Sequence, residues 1–293
     1  MKNKKLLLIL SIVTVLGILV GCNTLVNQSS PITITQHADI TGNQAMFYTL
    51  ETQKGELIVI DGGHEVNAEY VRSVLSQKGN HVSAWILTHQ HQDHAGAFNE
   101  IYANPQDITI DAIYTNQLDY DMFKQYAMEW DDFEVYQTFC DLTAGAENLT
   151  YLHSGDELEI CGIPIKIYNA YDDSTINYSV DLANCGSLMF EVFGDNSSIL
   201  FCGDVYGEPM CNKILSEYGE ELSATYLQMG HHGNNSITRD FFMQVHPKTA
   251  IFDAPTWLIQ GEQYDTFKNI QMAEEAGAST YSFETAPNVF ILD

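Results

Sequence analysis

Residues 88–96 read Thr-His-Gln-His-Gln-Asp-His-Ala-Gly, so His89, His91, Asp93 and His94 place three imidazoles and a carboxylate within six positions. The segment follows directly on Ala84-Trp85-Ile86-Leu87, and residues 82–87 read as a buried strand. Neutral imidazole nitrogen and carboxylate oxygen are ligands that suit Zn²⁺. On an extended loop His89 and His91 can both turn to one metal ion. Asp93 and His94, at the start of a following helix, can turn to a second. A solvated histidine-rich turn is the bland alternative. The chain has only ten histidines, and their concentration behind a buried strand argues against it.

Around this segment, short strands alternate with helices. Strands are expected at 45–50 and 56–60, joined by a turn through Gln53-Lys54-Gly55. A helix is expected over 66–77, with Val71, Val74 and Leu75 on one face, and another over 94–103. Residues 120–139 are aromatic and acidic and read as helical. In the second half, strands are expected at 163–170, 188–193, 198–202, 224–229 and 249–252, with helices at 209–218, 241–245 and 266–276. Such interleaving indicates a layered α/β domain, in which chemistry tends to sit at strand ends.

The first residues read as a targeting signal. Lys2, Lys4 and Lys5 precede an apolar run over 6–20, then Gly21 and Cys22, a pattern closer to a secretory signal than to a membrane-spanning helix. Leu19-Val20-Gly21-Cys22 resembles the lipobox of bacterial lipoproteins, which implies lipidation of Cys22 and a body tethered to the extracellular face of the membrane. The expected division is a signal peptide over 1–22, a flexible tether over 23–31 and one domain over 32–293. An uncleaved anchor helix is the alternative, and it too puts the body outside the cytoplasm. Without Cys22 five cysteines remain, and an odd number excludes a fully paired disulfide framework within one chain.

Charge narrows the partners. There are 39 acidic residues against 12 basic ones, a net charge of -27, and three of the bases lie in the N-terminal segment. A surface this acidic repels polyanions at long range, so long nucleic acid is a disfavoured partner. Neither a Gly-x-Ser-x-Gly elbow nor a Gly-x-x-x-x-Gly-Lys phosphate loop is present.

The His-x-His-x-Asp-His motif after a strand resembles the signature of the metallo-β-lactamase superfamily. Asp61-Gly62-Gly63 at the end of an upstream strand, Gly203-Asp204 after Ile199-Leu200-Phe201-Cys202, and Gly230-His231-His232-Gly233 match further superfamily motifs in the expected order. Ser154-Gly155-Asp156-Glu157-Leu158 and Asn184-x-x-Ser187-Leu188 are similar to the metallo-hydrolase domain of ComEC-type competence DNA-uptake channels; teichoic-acid phosphorylcholine esterases share part of the pattern. The resemblance implies a four-layer αββα sandwich, formed as a single domain, around two divalent metal ions, zinc or alternatively manganese. It implies that Asp61 orients the metal loop and that Asp204 bridges both ions. The first ion would take His89, His91 and Asp204; the second would take Asp93, His94, Asp204 and His232. A third-motif histidine, present in many members, has no counterpart here: the slot falls at Asn184 or Cys185, which leaves the first position the weaker one. Cys185 as a thiolate ligand is the lesser alternative. His231 is expected to face the substrate and His232 the metal, because side chains alternate at a strand end; the reverse assignment is the alternative. Asp93 and His231 are the residues expected to act in catalysis.

The implied chemistry is hydrolysis of an extracellular phosphodiester, small or polymeric, by a hydroxide held between the ions. The rival from another class is a non-catalytic surface binding protein that keeps the fold. A di-iron redox protein on the same scaffold is the weaker third reading.

Overall fold

The structure, a computed structural model, describes residues 31–283 and 286–293. The expected signal, tether and Cys22 lie outside these residues. Among the described residues no helix is long and apolar enough to cross a membrane.

The first half of the chain builds most of one sheet. Its strands are β1 (Ile32–Gln36), β2 (Phe47–Glu51), β3 (Leu57–Asp61), β5 (Ala84–Ile86), β7 (Ile113–Thr115) and β8 (Leu149–Tyr151); β4 (His81–Val82) and β6 (Thr109–Ile110) pair separately. The second half builds another sheet from β9 (Glu157–Ile160), β10 (Ile163–Asn169), β11 (Met189–Phe193), β12 (Ser198–Phe201), β13 (Tyr226–Gln228), β14 (Thr249–Phe252) and β15 (Ser279–Ser282). The last strand, β16 (Asn288–Leu292), crosses back to pair with β1, giving orders β16-β1-β2-β3-β5-β7-β8 and β15-β14-β13-β12-β11-β10-β9.

The central strands are apolar on both faces. In β3, Ile58 and Ile60 face the other sheet while Leu57 and Val59 face helices; in β12, Ile199 and Phe201 face inward while Leu200 faces outward. A strand covered on both sides reads as a continuous apolar run, which is why these strands are plain in the sequence. Outside the first sheet lie α1 (Ala68–Gln77), α2 (Gln92–Ala103), α3 (Tyr120–Tyr126) and α4 (Phe133–Thr143). On the far side of the second sheet lie α6 (Glu208–Tyr218), α7 (Arg239–Val245), α8 (Thr256–Gln260) and α9 (Thr266–Glu275), while the short α5 (Leu182–Cys185) packs against α3. Three apolar clusters, one between the sheets and one beneath each helical layer, make the order helix–sheet–sheet–helix.

The aromatic stretch expected as one helix is two. Residues Ala127 to Asp132 break it, and Asp132 adopts a left-handed conformation at φ 45°. Leu118, Phe123, Tyr136 and Leu182 pack together and hold this pair of helices beside α5.

Candidate metal centre

The parallel strands of both sheets end on the same rim. β3 ends at Asp61, and β5 leads into the His89 loop and the first turn of α2. β12 leads to Asp204, β13 to the Gly230–Gly233 turn, and β14 to Asp253. The strand pairs β3–β5, β12–β13 and β13–β14 run parallel, so their carboxyl ends collect side chains at one edge.

His94 is fixed first. Its Nδ1–H donates to Asp61 Oδ2 at 2.7 Å, and the same carboxylate accepts from the Thr88 N–H and hydroxyl, both at 2.7 Å. Nε2 of His94 is thereby turned to the centre, 3.3 Å from Asp204 Oδ1 and 3.3 Å from His232 Nε2. His232 Nδ1–H donates to the backbone carbonyl of Asp253 at 2.9 Å; its Nε2 stands 3.1 Å from Asp93 Oδ2 and 3.3 Å from Asp204 Oδ2. Gln44 steadies Asp93 by donating to Oδ2 at 2.8 Å.

Two overlapping groups result. His89, His94 and Asp204 form one and Asp93, His94 and His232 the other, with the ligand atoms of each within 4.8 Å of one another and every residue buried. The division differs from the sequence expectation, because His94 stands between the groups and His91 stands outside both. His91, capping the start of α2, has its Nε2 3.1 Å from Asp131 Oδ1. Asn184 lies buried at the rim, its amide donating to Asp181 Oδ2 at 3.0 Å. Cys185 is no thiolate: it is buried, its Sγ lies 3.7 Å from the Tyr206 carbonyl, and burial pushes its pKa up to about 12.

The expected alternation at the end of β13 does not explain the histidine pair. His231 and His232 sit in a tight turn, both in the left-handed region, at φ 51° and 54°. Two consecutive non-glycine residues there cost roughly 1–3 kcal/mol each and persist where surrounding structure imposes them. The turn sends His232 into the centre and lays His231 flat on Tyr206, with ring centroids 4.9 Å apart at 22°. His231 Nδ1 is buried without a hydrogen-bond partner.

The electrostatics are those of a cation site. Burial works against charge at Asp93 and Asp204, yet His94 and His232 beside them hold both carboxyls well below the usual range. Conversely, burial opposes charge on His94 and His232, but the carboxylates outweigh it; His232 is pushed up to about 10 and His94 well above its ordinary value. Burial, with His94 and His91 adding to it, keeps His89 neutral. His89 Nε2 and Asp204 Oδ1 are buried without hydrogen-bond partners. Such orphans cost about 1–3 kcal/mol each, and a divalent cation would satisfy both. The donor set, imidazole with carboxylate, fits zinc.

In the metal-free protein these two imidazoles carry protons that an ion must displace. A His232 pKa of about 10 in the fold, against about 6.5 unfolded, contributes stability that is whole below about pH 6.5 and fades as pH rises towards about 10. Urea unfolding of chelator-stripped protein is expected to show a lower midpoint at about pH 9 than at about pH 6.5; the reverse trend would remove the protonated pair.

A cavity of about 690 Å³ opens onto the centre, reaching His91, Asp93, Asp204 and His231, with Trp130 and Trp257 at its mouth. The sequence did not mark Gln44, Asp131, Asp181, Tyr206 or Asp253. Asp253 carried a usable signal: like Asp61 and Asp204, it is an acid that ends a buried strand.

Residues 40–123 match the family model of the metallo-beta-lactamase superfamily. The fold is similar to that of the metallo-beta-lactamase fold protein YhfI from Bacillus subtilis, at 11% identity and a TM-score of 0.55 over 89% of this chain and 100% of that one. It is also similar to Igni18, a metallo hydrolase from the archaeon Ignicoccus hospitalis, at 13% identity and a TM-score of 0.55 over 90% and 99%. The di-iron β-hydroxylase CmlA from Streptomyces venezuelae shares the fold at 9% identity and a TM-score of 0.55, over 90% of this chain and 54% of CmlA. A search of curated proteins by sequence found no match.

Proposed function

We propose that this chain is a metal-dependent hydrolase of the metallo-β-lactamase superfamily that cleaves a small phosphodiester, held outside the cell by a lipid on Cys22. The observation that carries the reading is the pair of overlapping groups around His94, with His89 Nε2 and Asp204 Oδ1 buried and bare. His89 and Asp204 would hold one divalent ion, and Asp93, His94, Asp204 and His232 a second, because His94 has only Nε2 left to give.

When bound, such ions supply an acidified water and positive charge against the attacked phosphorus. The chain's own residues do the positioning. Asp61 holds Nδ1–H of His94, and the Asp253 carbonyl holds Nδ1–H of His232, so both present Nε2 to the centre. His231, whose pKa burial lowers, is neutral at pH 7 and offers a phosphoryl oxygen one hydrogen bond.

The cavity favours a small substrate. Not one of its lining residues is a lysine or arginine, and the net charge is -27, so nothing here grips a run of phosphates. The indoles of Trp130 and Trp257 offer flat apolar surface to the remainder of the molecule.

Purified protein loaded with zinc, manganese or iron is expected to hydrolyse bis(p-nitrophenyl) phosphate. Its KM should change less than about twofold between about 50 and 200 mM salt, where a protein making many phosphate contacts loses about 10³-fold in affinity or more. Absence of turnover with every metal, together with tight binding of a glycan or peptide, would replace the hydrolase with a surface binding protein.

A further inference from the structure

Six side chains were expected around the ions, and His91 is the one that stands apart from both groups. Its ring is nonetheless held. Nε2 faces Asp131 Oδ1 at 3.1 Å, and the ring centroid lies 6.5 Å from that of Phe123. Asp131 is 1% exposed and fastened on its other oxygen: Oδ2 accepts from the Met128 N–H at 2.5 Å, and its own N–H donates to the Met128 carbonyl at 3.1 Å. That leaves Oδ1 as the free end of a rigid carboxylate. Nε2 and Oδ1 are both buried and have no other partner. Among the described residues nothing pairs with Nδ1, and His91 lines the cavity over the centre.

We infer that Asp131 is a positioning residue for the metal centre: it takes the Nε2–H of His91, fixes that tautomer, and leaves Nδ1 free to ligate the ion that His89 and Asp204 would hold. The inference rests on the hydrolase reading above. It also gives the loop between α3 and α4 a purpose, because this loop brings the carboxylate to the ring. Asp61 on His94 and the Asp253 carbonyl on His232 play the same part by the same means, each accepting from the nitrogen that faces away from the centre. Partners of this kind are worth 10- to 100-fold in metal affinity.

The test uses the whole purified chain and Zn²⁺ titrated by calorimetry. Wild type is expected to take two ions; Asp131→Ala should bind one of them roughly 10- to 100-fold more weakly and keep the other. Asp131→Asn, whose amide oxygen still accepts from Nε2–H, should recover most of the loss. Long-range ¹H–¹⁵N spectra of the zinc-loaded wild type, with His91 assigned by comparison with His91→Gln, should show a proton on Nε2 and none on Nδ1. This readout needs no Asp131 variant to fold. Two ions of unchanged affinity in Asp131→Ala, or a proton on Nδ1 of His91, would overturn the inference and leave the hydrolase standing. A wild type that takes up no ion would overturn both.

Discussion

On the proposed hydrolase reading, Asp204→Ala is expected to lower hydrolysis of bis(p-nitrophenyl) phosphate at least about a thousandfold, roughly 4 kcal/mol of barrier. The two carboxylate oxygens are divided: Oδ1 lies 3.3 Å from His94 Nε2 and Oδ2 3.3 Å from His232 Nε2. No neighbouring acid can replace it, because Asp93 already faces His232 from the other side and is tied to Gln44. Removing the side chain also takes a carboxylate oxygen from beside each of these imidazoles, so the variant should lose affinity for both ions. Zinc content after dialysis, measured beside the rate, checks this. A variant that keeps two ions and a tenth of the wild-type rate would show that Asp204 does not bridge.

Gly230→Ala is expected to be the most damaging of the small substitutions. A Cβ at this position would lie 2.2 Å from the Val205 carbonyl oxygen and 3.3 Å from its carbon. Both neighbours are backbone, so the collision cannot be relieved by rotating a side chain. Overpacking of this sort costs about 3 kcal/mol, or roughly 6–12 °C in Tm for a domain of this size. Val205 follows Asp204, and Gly230 precedes the left-handed pair His231 and His232, so the displacement also separates ligands that must converge. Gly219→Ala is the control: its Cβ meets nothing within 4 Å, and its backbone is already helical at φ -34°. Thermal unfolding of both variants, with zinc titration of each, checks the expectation. Equal melting of the two would mean that the Val205–Gly230 approach is loose.

Much of the fold and part of the centre could be read from the residues alone, for identifiable reasons. Strands such as β3, β5 and β12 are covered on both faces, so their apolar runs are unbroken. The edge strands are less distinct. β9 alternates Glu and Leu or Ile, and β16 leaves Val289 and Ile291 exposed, so neither reads as a buried run. His89, Asp93 and His94 were visible because one short loop carries them. Asp204 and His232 needed motifs to connect them across more than a hundred positions. Asp131 had no such mark. It is one acid among many between two helices, and only the break at Ala127–Asp132 brings it to His91. The partition of ligands was unreadable for a related reason: the rotamer of His94 is set by Asp61, a contact across 33 residues.

Each of the two ligand groups draws on both sheets. His89 and His94, from the loop after β5, meet Asp204 from the end of β12, and Asp93 with His94 meets His232 from beyond β13. Beneath them Asp253, at the end of β14, accepts from Gln36 and from the Tyr48 hydroxyl of the opposite sheet. The centre is therefore a keystone. Neither half of the arch holds it alone, and a sliding of one half past the other would draw Asp204 and His232 away from His89 and His94.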